Sequence, residues 1–306
     1  MTLSLPGART LPRLRSRVRS RTLLGGYLAV DSTRDWLRAW AAALILLGPA
    51  NLVLHLAAWL TSHASRRTAI RATERWWAGL ASRLIGLRFD ITGLEHIDPN
   101  EQYIVVALHE GFADGLALLQ LPLSLTAVAR DELVAFPLLG SQLARGRHLL
   151  IDPERPVHAT RTLHRAAREA IDAGDSLLLF PQGSILGIEL AFQPGAFNLA
   201  RQLGRPILPV VLTGAHRVWD HPFSATLRLN QRMTVTVLPP VPASEAIPRR
   251  NEIEHRMKQH ALASPTPPRH FDPNHDGYWD AHRYAIDPVY PALAHLVATH
   301  RLRHAA

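Results

Sequence analysis

The chain has 306 residues, enough to bury a large hydrophobic core in one or two domains. Its formal charge of +9 comes almost wholly from arginine, since Lys258 is the only lysine, and this balance suits an anionic membrane surface, nucleic acid or acidic substrates. The absence of cysteine excludes disulfides, cysteine-ligated zinc and thiol nucleophiles.

The first segment, residues 1–35, is predicted to be an irregular, flexible and basic tail. Its positive charges alternate with small or apolar residues at Arg13, Arg15, Arg17, Arg19 and Arg21. Such charges are attracted to anionic lipid headgroups. Since no recognition motif or interleaved aromatic residue accompanies them, nucleic acid is not an expected partner.

Residues 36–87 are predicted to form a helical segment associated with a membrane. The uncharged run Ala39–Leu60 would just span a bilayer, but arginines flank it on both sides, whereas a true span usually carries positive charge on one side. We therefore expect two half-helices, hinged at Gly48 and Pro49, that lie in one leaflet. The alternative is a buried hairpin of two core helices. A secretory signal peptide is not expected, because the run begins late and lacks a cleavage site.

From Arg88 onward, strand-like runs alternate with helix-like runs. The predicted strands are Arg88–Thr92, Tyr103–Leu108, Ser124–Ala129, His148–Ile151, Ser176–Phe180 and Ile207–Leu212. The predicted helices include Ala113–Leu121, Val157–Ala173 and Gly195–Leu203. This alternation predicts an α/β domain over residues 88–263, with a mixed, largely parallel sheet flanked by helices.

The later part of the chain predicts smaller additions to this domain. A hairpin of Arg228–Asn230 with Met233–Leu238 would extend the sheet, and Ser244–Leu262 has the pattern of an amphipathic helix. Residues 264–306 begin with a proline-rich break and are predicted to pack on the domain as a C-terminal extension.

The first candidate site follows the predicted strand Tyr103–Leu108. His109 and Asp114 come five residues apart after this strand, and Gly111 can supply the tight turn that ends it. A histidine with a carboxylate within reach is the minimal machinery for removing a proton from a hydroxyl. Open α/β sheets place their sites at the carboxyl ends of strands. The spacing alone is weak, because it recurs in a polar C-terminal segment at His275/Asp280 and His282/Asp287.

The second candidate site follows the predicted strand Ser176–Phe180, where the sequence continues as a turn with Pro181 and Gly183. Backbone N–H groups of a glycine-containing turn can hold an anionic oxygen, and Gln182 and Ser184 add side-chain donors. Taken alone, such a turn is more often a loop than a site. In one α/β sheet, however, the two turns can face the same cleft.

The two motifs together resemble those of the glycerophospholipid acyltransferase family, the 1-acylglycerol-3-phosphate acyltransferase-like enzymes. HEGFAD, at His109 to Asp114, matches the family's H-x4-D block, and FPQGSI, at Phe180 to Ile185, matches its F-P-E-G-[ST]-R-like block about 70 residues later. Two lesser blocks also fit: residues 129–140, ARDELVAFPLLG, and residues 205–214, RPILPVVLTG. Four blocks in the family's order make a specific signal.

The resemblance implies transfer of a fatty acyl group from an acyl-CoA or acyl carrier protein thioester to a hydroxyl of a lysophospholipid-like acceptor. It maps His109 onto the general base and Asp114 onto the carboxylate that fixes the histidine tautomer. It assigns substrate binding to the turn residues Phe180, Pro181, Gln182, Gly183 and Ser184. Neither an acyl-enzyme, a metal nor a cofactor is expected. The expected location is the cytoplasmic face of the inner (plasma) membrane, with membrane lipid as a partner.

Two positions depart from the family's pattern. Gln182 stands where the family usually has Glu, and Ile185 stands where it has Arg, although in the family these positions help to bind the acceptor's phosphate. Arg130, Arg145 and Arg147 are candidate replacements for that contact. The alternatives are therefore an acyltransferase acting on a non-phosphate lyso-aminolipid, a hydrolase that passes the acyl group to water, and a lipid-binding protein without turnover.

Overall fold

The computed structural model describes residues 21–23, 28–30, 32–60, 66–135, 139–151, 156–220, 226–272 and 284–304. The N-terminal arginines Arg13 to Arg19, the DGYWD sequence at 276–280, and His275 and His282 lie outside these ranges.

In the part of the chain that the structure describes, three helices precede the sheet: α1 at Thr33–Leu47, α2 at Pro49–Leu60 and α3 at Arg66–Ile85. The break between α1 and α2 lies at Gly48, as predicted, because Pro49 has no N–H with which to continue the helix. Part of the segment expected to be irregular is ordered: strands β1 (Arg21–Leu23) and β2 (Leu28–Val30) pair in antiparallel fashion before α1.

The described residues form a central sheet of seven strands: β3 at Arg88–Thr92, β4 at Ile104–Ala107, β5 at Leu125–Arg130, β6 at Leu149–Ile151, β7 at Ser176–Leu179, β8 at Ile207–Thr213 and β9 at Arg232–Val237. Their spatial order is β3-β9-β8-β4-β7-β5-β6. The strands from β8 to β6 are mutually parallel, whereas β9 runs antiparallel to β8 and carries β3 parallel to itself. The predicted mixed, largely parallel sheet is confirmed.

Helices cover both faces of this sheet. They are α4 at Asp114–Leu118, α5 at Leu139–Arg145, α6 at Pro156–Asp172, α7 at Gly195–Leu203, α8 at Ala215–Val218, α9 at Arg250–Leu262 and α10 at Pro291–His304. Strand β4 lies near the middle and is wholly buried, and its side chains alternate between two cores. Ile104 packs with Phe197 and Met257 on one face, and Val105 packs with Leu118 on the other.

Two predicted additions were wrong in detail. No hairpin forms at Arg228–Asn230, because these backbone N–H groups bond elsewhere: Arg228 N–H donates to Val218 O and Asn230 N–H to Ile85 O. Asn230 has φ +59°, a left-handed conformation that a strand does not use. The amphipathic helix begins at Arg250 rather than Ser244, since Pro248 follows a short 3-10 turn at Ala243–Glu245.

The C-terminal segment contacts the α/β domain through a buried cluster and an ion pair. Phe271, Tyr284 and Val297 pack against Leu186 and Leu190, which lie beyond β7. The chain's one lysine, Lys258 on α9, is buried, and its Nζ contacts both Glu254 and Asp287.

Candidate active site

The predicted His–Asp pair forms at the carboxyl end of β4. The strand ends at Ala107, the chain turns at Gly111, and Asp114 begins α4. Asp114 is fully buried, and its Oδ2 lies 2.7 Å from His109 Nδ1. The same oxygen accepts N–H bonds from Glu110 at 2.8 Å and Gly111 at 3.0 Å. The turn thus holds the carboxylate rigidly against the imidazole, whose side chain is 25% exposed.

This geometry assigns the histidine tautomer. A carboxylate oxygen accepts hydrogen bonds, so Nδ1 of His109 carries the proton it donates to Asp114. Nε2 then has a free lone pair on the side of the ring away from the carboxylate. A partly exposed imidazole held in this tautomer is equipped to take a proton from a hydroxyl group.

The second predicted turn comes directly beside the first, because β7 is the parallel neighbour of β4. The Phe180 ring stacks on the His109 ring, with the centroids 3.9 Å apart and an interplanar angle of 17°. Gln182 Oε1 accepts the His109 backbone N–H at 2.7 Å, and Gln182 Nε2 donates to Gly187 O at 2.8 Å. The structure therefore links the two sequence motifs through contacts with His109.

The other residues of this turn shape it. Pro181 O accepts the backbone N–H of Gln193 at 2.7 Å, and Gly183 N–H closes the turn onto Phe180 O at 3.0 Å. Gly183 has φ +71°, a conformation that favours glycine. Gly183 is exposed and Ser184 half-buried, whereas Gln182 is buried with its amide oxygen and nitrogen both bonded. Gln182 thus contacts the His109 backbone and the Gly187 carbonyl from a buried position.

Two of the candidate arginines, Arg130 and Arg147, lie at opposite ends of the neighbouring strands β5 and β6. Arg130 is the last residue of β5, which pairs with β7, so it stands at the same carboxyl edge as His109. Arg147 precedes β6, where its backbone is level with the start of β5 and its side chain is exposed. Arg147 lies four residues before Ile151, the partner of Arg130. Since strands rise about 3.3 Å per residue, the Arg147 backbone lies roughly 13 Å along the strand direction from the level of Arg130. The placement favours Arg130 as a contributor to the site.

Sequence reasoning missed Glu110 and His216. Glu110 is buried, and its Oε2 accepts the backbone N–H groups of Gly214 at 2.7 Å and Ala215 at 3.2 Å and lies 3.1 Å from His216 Nδ1. Burial raises the pKa of Glu110, and the His216 contact opposes that shift. These contacts join the ends of β4 and β8, and the partners lie more than a hundred residues apart in sequence, so no local pattern signals them. Among the described residues, no group of three or more His, Cys, Asp or Glu side chains is arranged to hold a metal ion.

Comparisons with known proteins bear on the same region. Residues 88–213 match the family model described as Acyltransferase. A 1-acyl-sn-glycerol-3-phosphate acyltransferase of Limnanthes alba is 32% identical over 167 residues, which cover 53% of this chain and 58% of that protein. One of Pseudomonas aeruginosa is 26% identical over 162 residues, which cover 52% of this chain and 63% of that protein. The chain thus spans little more than half the length of these relatives.

A solved structure matches more of the chain. The 1-acyl-sn-glycerophosphate acyltransferase PlsC of Thermotoga maritima superposes with a TM-score of 0.63, over 74% of this chain and 94% of that chain. At 18% sequence identity this likeness shows a shared fold. It is consistent with the sheet described above and extends beyond the region that the family model matches.

Proposed function

We propose that the protein transfers a fatty acyl group from a thioester to a hydroxyl of a lysophospholipid-type acceptor, on the premise that residues 88–213 belong to the glycerophospholipid acyltransferase family. The observation that carries the proposal is the His109–Asp114 pair, with 2.7 Å between Nδ1 and Oδ2, at the edge where β4 and β7 end side by side. The relatives named above are acyltransferases for 1-acyl-sn-glycerol-3-phosphate.

In the proposed reaction, His109 acts as a general base. Its Nε2 takes the proton of the acceptor hydroxyl while that oxygen attacks the thioester carbonyl carbon. Asp114 holds the imidazole in the required tautomer and stabilises the imidazolium that forms. Collapse of the tetrahedral intermediate breaks the C–S bond, and the proton passes from Nε2 to the departing thiolate. The products are the acylated lipid and a free thiol, without an acyl-enzyme.

The donor in this proposal is acyl-CoA or an acyl carrier protein thioester. The tetrahedral intermediate carries a negative oxygen, which needs hydrogen-bond donors placed in advance. The turn that begins at Phe180 lies next to the general base, since the Phe180 ring stacks on the His109 ring. We assign the stabilisation of the oxyanion to this turn.

The apolar side chain of Ile185 is the basis of a proposal about the charge of the preferred acceptor. It is half-buried next to Ser184 and offers no charge to an anion, and the buried Gln182 has both amide atoms engaged. Arg130 is then the candidate phosphate contact at this edge, and a phosphate buried with fewer cationic partners is costly. We expect lysophosphatidate to be used less well than a less charged acceptor, such as a lyso-aminolipid.

This acceptor preference is testable with Ile185→Arg. The substitution should raise kcat/KM for lysophosphatidate and leave that for a lyso-aminolipid unchanged or lower, with the acyl donor held constant. Leu150→Arg, an exposed apolar position on β6, is the matched control for added charge. Efficient and selective use of lysophosphatidate by the unaltered protein would contradict the expected preference.

The N-terminal helices favour a membrane-associated site of action. Thr33–Leu56, 24 residues, is long and apolar enough to cross a membrane by length and composition. Large apolar side chains are exposed along one face of α1 and α2, here called the apolar face: Leu37, Trp40, Leu44, Leu47, Leu52, Val53, Leu56 and Trp59. Exposed apolar patches of this extent are typical of interaction sites. We propose that this face enters the cytoplasmic leaflet of the inner membrane, where the lipid acceptor lies.

The central experiment is turnover by the purified protein with acyl-CoA and a panel of lysolipids. His109→Ala should lower kcat by about two to four decades, the usual range for loss of a general base, while the protein stays folded. His255→Ala, at an exposed position on α9, is the matched control. Near-normal acyl transfer by a folded His109→Ala protein would overturn the mechanism, and release of free fatty acid without acylated lipid would favour a hydrolase.

A further inference from the structure

Arg269 lies outside the region that the family model matches, yet it contacts both sides of the candidate active site. It belongs to the segment after α9, and its side chain is only 5% exposed. Its backbone N–H donates to Glu110 Oε1 at 2.9 Å, and its carbonyl oxygen accepts the N–H of Ile188 at 2.9 Å. Its side chain donates through Nε to Asp220 Oδ1 at 2.9 Å and through Nη1 to the carbonyl oxygen of Leu186.

One route from Arg269 to His109 runs through the loop after β7. Leu186 and Ile188, both bonded to Arg269, flank Gly187, whose carbonyl oxygen accepts the side-chain amide of Gln182. The other end of that amide accepts the backbone N–H of His109 at 2.7 Å. The loop that carries the predicted substrate turn is therefore bonded to Arg269 at Leu186 and Ile188. Through Gln182 the same loop is bonded to the backbone of the general base, His109.

A second route runs through Glu110, the residue next to His109. Its Oε1 is occupied by the Arg269 N–H, while its Oε2 holds the turn after β8. The adjacent residues reinforce the contact between the segments, because Glu189 accepts bonds from His270 Nδ1 at 2.7 Å and from the Phe271 N–H at 2.9 Å. The C-terminal segment is thus bonded to both turns that form the site.

The chemistry of arginine suits this position. A guanidinium is planar and offers several N–H donors in fixed directions, so one side chain can donate to Leu186 O and Asp220 together. Its charge is buried beside Asp220, which partly balances the cost of desolvation. A lysine at this site has a single ammonium group and cannot reproduce both directed bonds.

We propose that Arg269 is a positioning residue for acyl transfer, which fixes the loop of residues 180–188 against His109. The proposal rests on the proposed function, since it concerns the same site. Misplacement of catalytic groups by about 1 Å can lower a rate on the order of a hundredfold. Arg269→Lys should therefore lower kcat about ten- to a hundredfold, with a smaller effect on the KM of the acyl donor.

A double-mutant cycle with Gln182→Ala distinguishes positioning from a general loss of stability. If Arg269 acts through the loop and Gln182, then Arg269→Lys should reduce kcat much less in the Gln182→Ala background than in the unaltered protein. Arg249→Ala removes a surface arginine paired with Glu245 and Glu252 and should leave kcat unchanged. Circular dichroism and thermal unfolding verify that each variant is folded before its kinetics are measured.

The kinetic results decide the question as follows. Coupled effects of Arg269→Lys and Gln182→Ala on kcat support the proposal, whereas fully additive effects, or a folded Arg269→Lys protein within twofold of normal kcat, overturn it. If Arg269→Lys does not fold, Asp220→Asn is tested instead, which weakens the side-chain bond while keeping the arginine; a kcat within twofold of normal again overturns the proposal. Absence of turnover by the unaltered protein would instead refute the proposed function.

Discussion

Asp114→Asn isolates the charge of the carboxylate that holds His109. Asparagine has nearly the same shape, so its amide oxygen can replace Oδ2 and accept the N–H bonds of Glu110 and Gly111. The bond to His109 Nδ1 then joins neutral partners and no longer stabilises an imidazolium. Loss of this charge should lower kcat by about two to four decades, equivalent to about 3 to 5 kcal/mol of transition-state stabilisation.

The same substitution has a separate cost in stability. The amide nitrogen would take the place of Oδ1, which is buried and has no hydrogen-bond partner among the described residues. An unsatisfied buried polar group typically costs about 1 to 3 kcal/mol, so the free energy of unfolding should fall by this amount. The other orientation of the introduced amide would destabilise the fold further. It would place the amide N–H groups against three donors, His109 Nδ1 and the N–H groups of Glu110 and Gly111.

The assay follows the thiol released from acyl-CoA with a thiol reagent. Because the protein contains no cysteine, the reagent reports only the product. Asp172→Asn, at an exposed position near the end of α6, is the matched control and should retain normal kcat. A folded Asp114→Asn protein with kcat within tenfold of normal would refute the catalytic role assigned to this carboxylate.

Two further predictions concern stability and membrane binding. Burial alone would raise the pKa of Asp175, but bonds from Arg71, Thr126 and Arg67 outweigh it and hold that pKa at about 2. The folded-state pKa is below the unfolded value, so the stabilisation of about 2 kcal/mol is present above pH 4 and is lost as pH falls toward 2. Asp175→Asn should therefore reduce the pH dependence of the free energy of urea unfolding between about pH 4 and about pH 2. Leu44→Glu and Trp59→Glu, at side chains 65% and 77% exposed, should weaken binding to anionic vesicles, whereas Leu262→Glu on α9 should not; equal sedimentation of all three with vesicles would contradict the membrane-facing assignment.

The strands, the class of the sheet and the two motifs were predictable from the amino-acid sequence. Apolar runs of strand length predicted each strand from Arg88 to Thr213 within a residue or two. The signal is clearest for β4 and β8, whose residues are all buried, because burial on both faces leaves a continuous apolar run. The sequence also located the helix break at Gly48 and Pro49, since proline acts on its own backbone. Where backbone bonds are non-local, as at Arg228–Asn230, the same reasoning predicted a strand that does not form.

The contacts between these elements depend on the folded arrangement of the whole domain. The order β8-β4-β7-β5 places the turns after Leu108 and Phe180 side by side, and it puts Arg130, not Arg147, at their edge. The fold also bonds Gln182 to the His109 backbone, 73 positions away in the sequence. It bonds Arg269 to Glu110, 159 positions away. Strand and helix periodicities record which face of an element is buried, but the partner of a buried polar group depends on which distant segments pack together, and that is fixed only when the chain folds.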